Sequence, residues 1–300
     1  MLNVLSLWAR VVVASAHAEV DEACDQLAKP ASYDEQVQQD FLANYVALAT
    51  SLSPIHGPIP HKAGRGAIGV DVAMIPPLGC GQRYVLEWTK TEDTNKSPVV
   101  PRPRITFAFQ PVGQLVYPYA GVAILPGGEF FGTRNFLVSG EFGAGLYLGP
   151  RFQLGARVHG TLQRTLGDIA TAYDEGEPAY ADLYLASSVG ADLHLGWELT
   201  GEGKGPTVTP YLALGVTDVT TFFWIGDDSV VPNNLHPYLG PSASVGLDAL
   251  FFDRVRVAGE FYAAPGGHSL PDPNAATVTN GAFSRYGNLY TARVRLAYEL

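Results

Sequence analysis

The sequence predicts an all-β protein. The expected form is a transmembrane, antiparallel, up-and-down β-barrel of about ten strands, with eight or twelve as alternatives, preceded by a short N-terminal helix. Three observations predict it. From residue 66 onward, apolar residues recur at every second position, in runs longer than the ~5–6 residues of an average soluble strand. The connections between runs alternate short and long. Charged residues make up 16% of the 300 residues, against roughly 25% in a soluble globular domain. A soluble β-sandwich is the competing fold. It shares the alternation, but has no reason to sort its connections by length.

Residues 1–18 read as a secretory signal. Val11-Val12-Val13-Ala14 is followed by Ala16-His17-Ala18, a small-x-small cleavage pattern, although Arg10 follows Leu5–Trp8 instead of preceding the apolar stretch. Residues 19–65 form the next unit, an N-terminal periplasmic or plug segment. Within it, residues 34–52 read as a helix. Val37, Phe41, Leu42, Tyr45, Leu48 and Leu52 make one stripe, Asp34 and Glu35 favour the first turn, and Pro54 and Gly57-Pro58 end it. The helix has three possible sites: the lumen, the periplasmic mouth and the membrane surface. Its acidic face disfavours the last.

Residues 66–300 form the barrel unit. The first strand places Ile68, Val70, Val72 and Met74 on one face. The second is read as Ile105–Phe109, after a long connection from Ile75 to Arg104 in which Tyr84–Trp88 suggests a small hairpin. In residues 113–124 the two faces are not separable. Residues 136–148 and 151–163 alternate cleanly, with Phe142, Leu146, Leu154 and Val158 against Glu141, Arg157 and His159. Further runs cover 182–199, 208–216, 239–248, 253–264 and 290–300. Short connections fall at Pro111-Val112, Gly149-Pro150, Gly201–Pro206 and Phe251–Asp253. Long ones fall at Ile75–Arg104, Leu125–Asn135, Thr165–Ala181, Ile225–Leu235 and Ala264–Tyr286. Tight periplasmic turns and long external loops give this rhythm, and an even strand number returns both termini to the periplasmic side.

The apolar face then points to lipid, and the polar face lines a lumen. Lumen candidates are Glu141, Arg157, His159, Asp192, His194, Asp248, Arg254, Arg256, Glu260, Arg293, Arg295 and Glu299. Both signs are present, so these residues serve either as structural ion pairs or as a charged eyelet. Cys24 and Cys80 are the only cysteines and form a possible disulfide in an oxidising periplasm.

Residues 41–79, FLANYVALATSLSPIHGPIPHKAGRGAIGVDVAMIPPLG, run from helix through a Pro/Gly/His linker to a Gly-spaced strand. In this layout the chain resembles Gram-negative outer-membrane β-barrel proteins with an N-terminal helical segment. More distantly, it looks like the long-chain fatty-acid transporter family. That resemblance implies an N-terminal segment that plugs the barrel, although this chain is shorter and its lumen narrower. The final strand, running to Leu300, also resembles the C-terminal assembly signal of outer-membrane proteins, with Leu in place of the usual aromatic.

The function expected is a narrow pore or passive transporter for small or hydrophobic solutes. A closed structural or adhesive barrel is the alternative, and a lipid-modifying enzyme the third reading. An enzyme would need His159 with Thr161, or His194 with Ser188 or Asp192; His268-Ser269 would point apart. No catalytic residue, metal site or cofactor is assigned, and His56 and His61 lack metal-ligand neighbours in sequence. A net charge of −10 argues against nucleic acid. The partners expected are outer-membrane lipid, the barrel-assembly machinery and a small or hydrophobic solute.

Overall fold

A computed structural model describes residues 24, 27–31, 33–51, 55–85, 88, 90–91, 99–113, 115–130, 133–167, 182–200, 206–225, 229–231, 238–264 and 289–300. The expected signal, residues 1–18, lies outside them. In chain order the elements are α1 (Glu35–Thr50), β1 (Gly66–Met74), α2 (Cys80–Arg83), β2 (Tyr84–Val85), β3 (Lys90–Thr91) and β4 (Val99–Ala108). They continue with β5 (Val116–Phe130), β6 (Thr133–Leu148), β7 (Phe152–Gly167), β8 (Asp182–Trp197) and β9 (Thr207–Ile225). The last are β10 (Ser229–Val231), β11 (Tyr238–Phe251), β12 (Val255–Ala264) and β13 (Leu289–Glu299).

Ten of the strands close into a barrel. Neighbours in sequence pair antiparallel around the ring, with β8 joined to β9 and the last strand, β13, joined to the first, β1. Closure gives every barrel strand a partner on both sides over at least part of its length, which is what hydrocarbon requires of most backbone N–H and C=O groups. The wall is apolar outside. Leu162, Val189 and Leu193 are each about 65% exposed, while their chain neighbours Thr161, Ser188 and Asp192 are buried inside. Outward aromatic residues, including Phe109, Trp197 and Tyr298 at one end and Phe136, Trp224 and Tyr290 at the other, flank this belt as interfacial girdles. The chain is a closed, ten-stranded, antiparallel up-and-down β-barrel with an apolar outer wall. Among the described residues no helix is long and apolar enough to cross a membrane.

Three expectations about the wall are corrected. The second barrel strand, β4, begins at Val99 instead of Ile105, taking in Pro101 and Pro103. The connection expected at Leu125–Asn135 is mostly strand, because β5 and β6 continue to Phe130 and Thr133 past a register shift between Leu125 and Gly128. In residues 113–124 the faces separate after all: Tyr119 and Ala123 point in, and Val122 and Ile124 point out.

The helix occupies the interior. Phe41, Tyr45 and Leu48 pack against Tyr184, Val219, Tyr262, Ala264 and Leu289, all inward residues in the half of the barrel that adjoins the long connections. Gln38, Asp40 and Asn44, on its polar side, are buried as well, and Gln38 Nε2 donates to Gln82 O of α2 at 2.6 Å. Small residues on both surfaces help the helix fit this narrow barrel beside the larger ones. Ala43, Ala47 and Ala49 face a wall that includes Ala186 and Ala264. Of the sites weighed from sequence, the helix takes the lumen. Cys24 and Cys80 are bonded to each other, with Cα atoms 5.4 Å apart, which ties the segment before α1 to the connection after β1. Leu300 N donates to Gly66 O at the opposite, short-turn end. The barrel's first strand thus starts and its last strand ends at the same, short-turn end, while the described segment before α1 lies at the other.

Candidate functional site

Between α1 and β1 the chain descends through the barrel. Ile55 to Pro58 are buried, and so are Pro60 and His61. Two histidines pin this stretch to the wall. His56 Nδ1 donates to Gly57 O at 2.6 Å, and its Nε2 lies 3.1 Å from Glu141 Oε2. His61 Nδ1 donates to Glu299 Oε1 at 3.0 Å, and its Nε2 contacts Thr106 Oγ1. Gly57 N donates to Asp248 Oδ2 at 3.1 Å. The sequence offered both histidines no neighbouring ligand and could not supply these partners, which are 85 and 238 residues away.

Three inward glycines make the room. Gly145, Gly155 and Gly196, on β6, β7 and β8, all face Pro58. A Cβ at 145 would sit 2.6 Å from Ile59 Cγ1, and one at 196 would sit 2.7 Å from Pro58 Cδ. Gly145→Val is therefore expected to push residues 57–59 off the wall. Overpacking of this kind costs about 1–3 kcal/mol. Single-channel recording should then register openings in the variant that the parent lacks; identical traces from both would refute the glycine track.

The lumen side chains form ion pairs. Arg104 bonds Asp71 at 2.6 Å and also Glu141. Arg157 bonds Asp192 at 2.8 Å. Arg256 bonds Asp248 at 2.8 Å and Glu299 at 2.9 Å. These pairs explain how so many charges can lie buried, since each guanidinium and carboxylate needs a partner once water is gone. Of the twelve lumen candidates, eleven are buried inside: Glu141, Arg157, His159, Asp192, His194, Asp248, Arg256, Glu260, Arg293, Arg295 and Glu299. Arg254 is not. It has the inward parity but sits in the β11–β12 turn, beyond the rim, where it is exposed and its guanidinium lies 5.8 Å from the Tyr298 ring outside. Arg102 and Arg104 were hidden from sequence reading inside the presumed long connection; the alternation in Arg102-Pro103-Arg104 was the available signal.

The side chains suggested for catalysis do not assemble a nucleophile and base. Thr161 Oγ1 lies 3.0 Å from Ser139 Oγ, while His159 contacts Asp192 at 3.2 Å. Ser188 Oγ and both ring nitrogens of His194 have no hydrogen-bond partner among the described residues.

The wall has an unpaired interval between β4 and β5. The ladder between β4 and β5 covers only Arg104–Ala108 against Ala123–Tyr119. Phe109 N donates to Pro118 O, while Ala108 N donates to Arg65 O on the other side. Odd residues of β4 therefore face β5, and even residues of β5 face β4. The next pairs would be Pro103 with Ile124 and Pro101 with Pro126. Three of those four residues are prolines and lack the N–H that a ladder needs. On its other edge β4 stays paired with β1 out to Val99. The outcome is a seam between β4 and β5, with Arg102 and Leu125 on its inner side.

This barrel has solved counterparts. It is similar to the Ralstonia pickettii toluene transporter TbuX, at 10% identity over 81% of this chain and 92% of that chain, with a TM-score of 0.36. It is similar to the Pseudomonas putida toluene transporter TodX, at 12% identity over 85% and 76%, with a TM-score of 0.35. The monoaromatic hydrocarbon channel CymD matches at 13% identity over 92% and 74%, with a TM-score of 0.34. No family model matches the chain, and no curated protein does.

Proposed function

We propose that the protein is a passive route for small hydrophobic solutes across the outer membrane, with a sideways exit through the β4–β5 seam. The observation that carries this reading is the ladder ending at Arg104/Ala123, where prolines on both strands remove the donors that would close it. The axial path is obstructed. Helix α1 fills the half near the long connections, and residues 55–61, pinned by Glu141, Asp248 and Glu299, cross the other half. That half is also lined by buried ion pairs, a poor environment for a hydrocarbon because solute entry would not replace their polar contacts. The seam instead has apolar Ile105 and Ile124 beside it on the lipid side.

In this reading residues 1–18 are a cleaved signal, residues 19–65 a plug, and the long connections external. Membrane lipid and the barrel-assembly machinery are its partners. The order of helix, linker and first strand, resembling the long-chain fatty-acid transporter family, supports the plug. A second reading, a closed structural or adhesive barrel, is favoured by the lumen's self-pairing charges.

Two measurements separate the readings. In planar bilayers the full-length protein should be closed to ions, and a variant lacking residues 19–60 should conduct in discrete steps. An equally open full-length protein would remove the plug from the model. Toluene uptake into liposomes carrying the full-length protein should exceed uptake into empty ones; equality would favour the closed barrel.

A further inference from the structure

The second pin of the descending segment is built for a neutral imidazole. His61 lies on the connection into β1, not on a strand, and is buried. Its Nδ1 is 3.0 Å from Glu299 Oε1, and its Nε2 contacts Thr106 Oγ1. A carboxylate only accepts, so Nδ1 carries the hydrogen. Arg295 Nη2 donates to the same Thr106 oxygen at 3.0 Å, and a guanidinium only donates. Thr106 therefore accepts from Arg295 and turns its own O–H to His61 Nε2. Neutral His61 completes a relay from Arg295 through Thr106 to Glu299, in which every donor faces an acceptor.

A second proton has no place in this relay. On Nε2 it would set an imidazolium N–H and a guanidinium N–H against one hydroxyl oxygen, and the Thr106 hydrogen would lose its acceptor. The added charge is opposed as well. Arg295 on β13 faces the ring through Thr106 on β4, and Arg256 on β12 shares its carboxylate, with Nε 2.9 Å and Nη2 2.8 Å from Glu299 Oε1. Behind these guanidinium groups, Asp248 on β11 bonds Arg256, and Asp71 on β1 lies 3.8 Å from Arg295. On the segment itself, the neighbouring Lys62 pairs with Asp253 at 3.6 Å. Burial holds the His61 pKa below its ordinary value, and Arg256 and Arg295 add to the effect against the pull of Glu299.

Released into water, the imidazole regains the ordinary value of roughly 6.5. The pinned form has its full advantage above that value. It loses the advantage as pH falls toward the lower, pinned value, by up to about tenfold per pH unit. Acid therefore favours release. Both ends of the segment stay attached. Gly64 N donates to Ala108 O and Ala108 N to Arg65 O, which fixes the entry to β1, and the Cys24–Cys80 bridge retains the chain before α1.

We infer that His61 is an acid-labile pin, whose protonation frees residues 55–62 from the wall and admits water to the short-turn half of the lumen. Because both ends remain tied, the segment reseats when the pH rises again. His61 acts here as a positioning residue, through the contacts it gives up. The consequence for passage, an axial path that widens in acid, rests on residues 19–65 being the plug; the detachment itself does not.

Hydrogen exchange of the full-length protein in detergent, read by mass spectrometry over residues 55–62 and corrected for the intrinsic effect of pH, tests the pin. Between about pH 7.5 and about pH 5, on either side of the ordinary histidine value, protection there should fall about tenfold or more. Peptides from β7 and β8 should keep theirs, marking the barrel as intact. His61→Gln supplies a donor and an acceptor without a titrating group, and should hold its protection at both pH values. Should that variant not fold, Thr106→Val tests the relay from its other side: protection should already be low at the higher pH and change little in acid. Equal protection of the parent at both pH values overturns the pin. So does an acid loss that persists in folded His61→Gln, which would assign the effect to another group such as His56. A full-length protein already open to ions at the higher pH would remove the plug but not the pin, because exchange reports the segment and not the path.

Discussion

Replacing Pro101 and Pro103 by valine should close the seam and slow solute passage. Both residues face β5, and valine restores an N–H at each. The carbonyls of Ile124 and Pro126 are the natural acceptors. Two new ladder bonds, each worth about 0.5–1.5 kcal/mol, raise the cost of parting the strands by about 1–3 kcal/mol. At 1.36 kcal/mol per tenfold in rate, uptake of toluene by liposomes should fall roughly tenfold or more. Resistance to urea should rise at the same time, since the wall gains bonds. A folded double variant that transports at the parent rate would show that solute does not cross there.

Glu141→Ala should produce the largest loss of stability. Glu141 is buried and takes both Arg104, on the wall, and His56, on the descending segment. Its removal leaves Arg104 with Asp71 alone, and Asp71 must also balance Arg295. Breaking a buried charge pair costs about 3–5 kcal/mol. The urea midpoint should drop accordingly, and ion leak should appear because His56 loses its anchor. Glu141→Gln, which keeps the volume and one acceptor, should lose less. An alanine variant as stable as the parent would mean that water replaces the carboxylate and that the anchor is dispensable.

Much of the wall was legible from residues read two at a time. Phe142 and Val158 lie on the lipid side and Glu141 and His159 in the lumen, as their alternation requires. The turns at Gly149-Pro150 and Phe251–Asp253 were equally plain. The start of β4 was not, because proline ordinarily excludes a strand. Here Pro101 and Pro103 are tolerated because the edge they occupy has no partner to lose. Arg254 misled for a related reason: parity assigns a face only while the strand lasts, and the strand begins one residue later.

Taken alone, the sequence determined the period of the strands, the lipid-facing set and the helix, all of which rest on contacts between near neighbours; it put the strand number at about ten and left eight and twelve open. It could not determine what closure encloses. The position of α1 in the lumen, the pairing of His56 with Glu141 and of His61 with Glu299, the disulfide between Cys24 and Cys80, and the row of Arg102, Asp71 and Arg295 all join residues from distant parts of the chain. Only the ring of paired strands brings them within reach. A barrel interior is a property of the whole circumference, and no local stretch of residues carries its diameter or its contents.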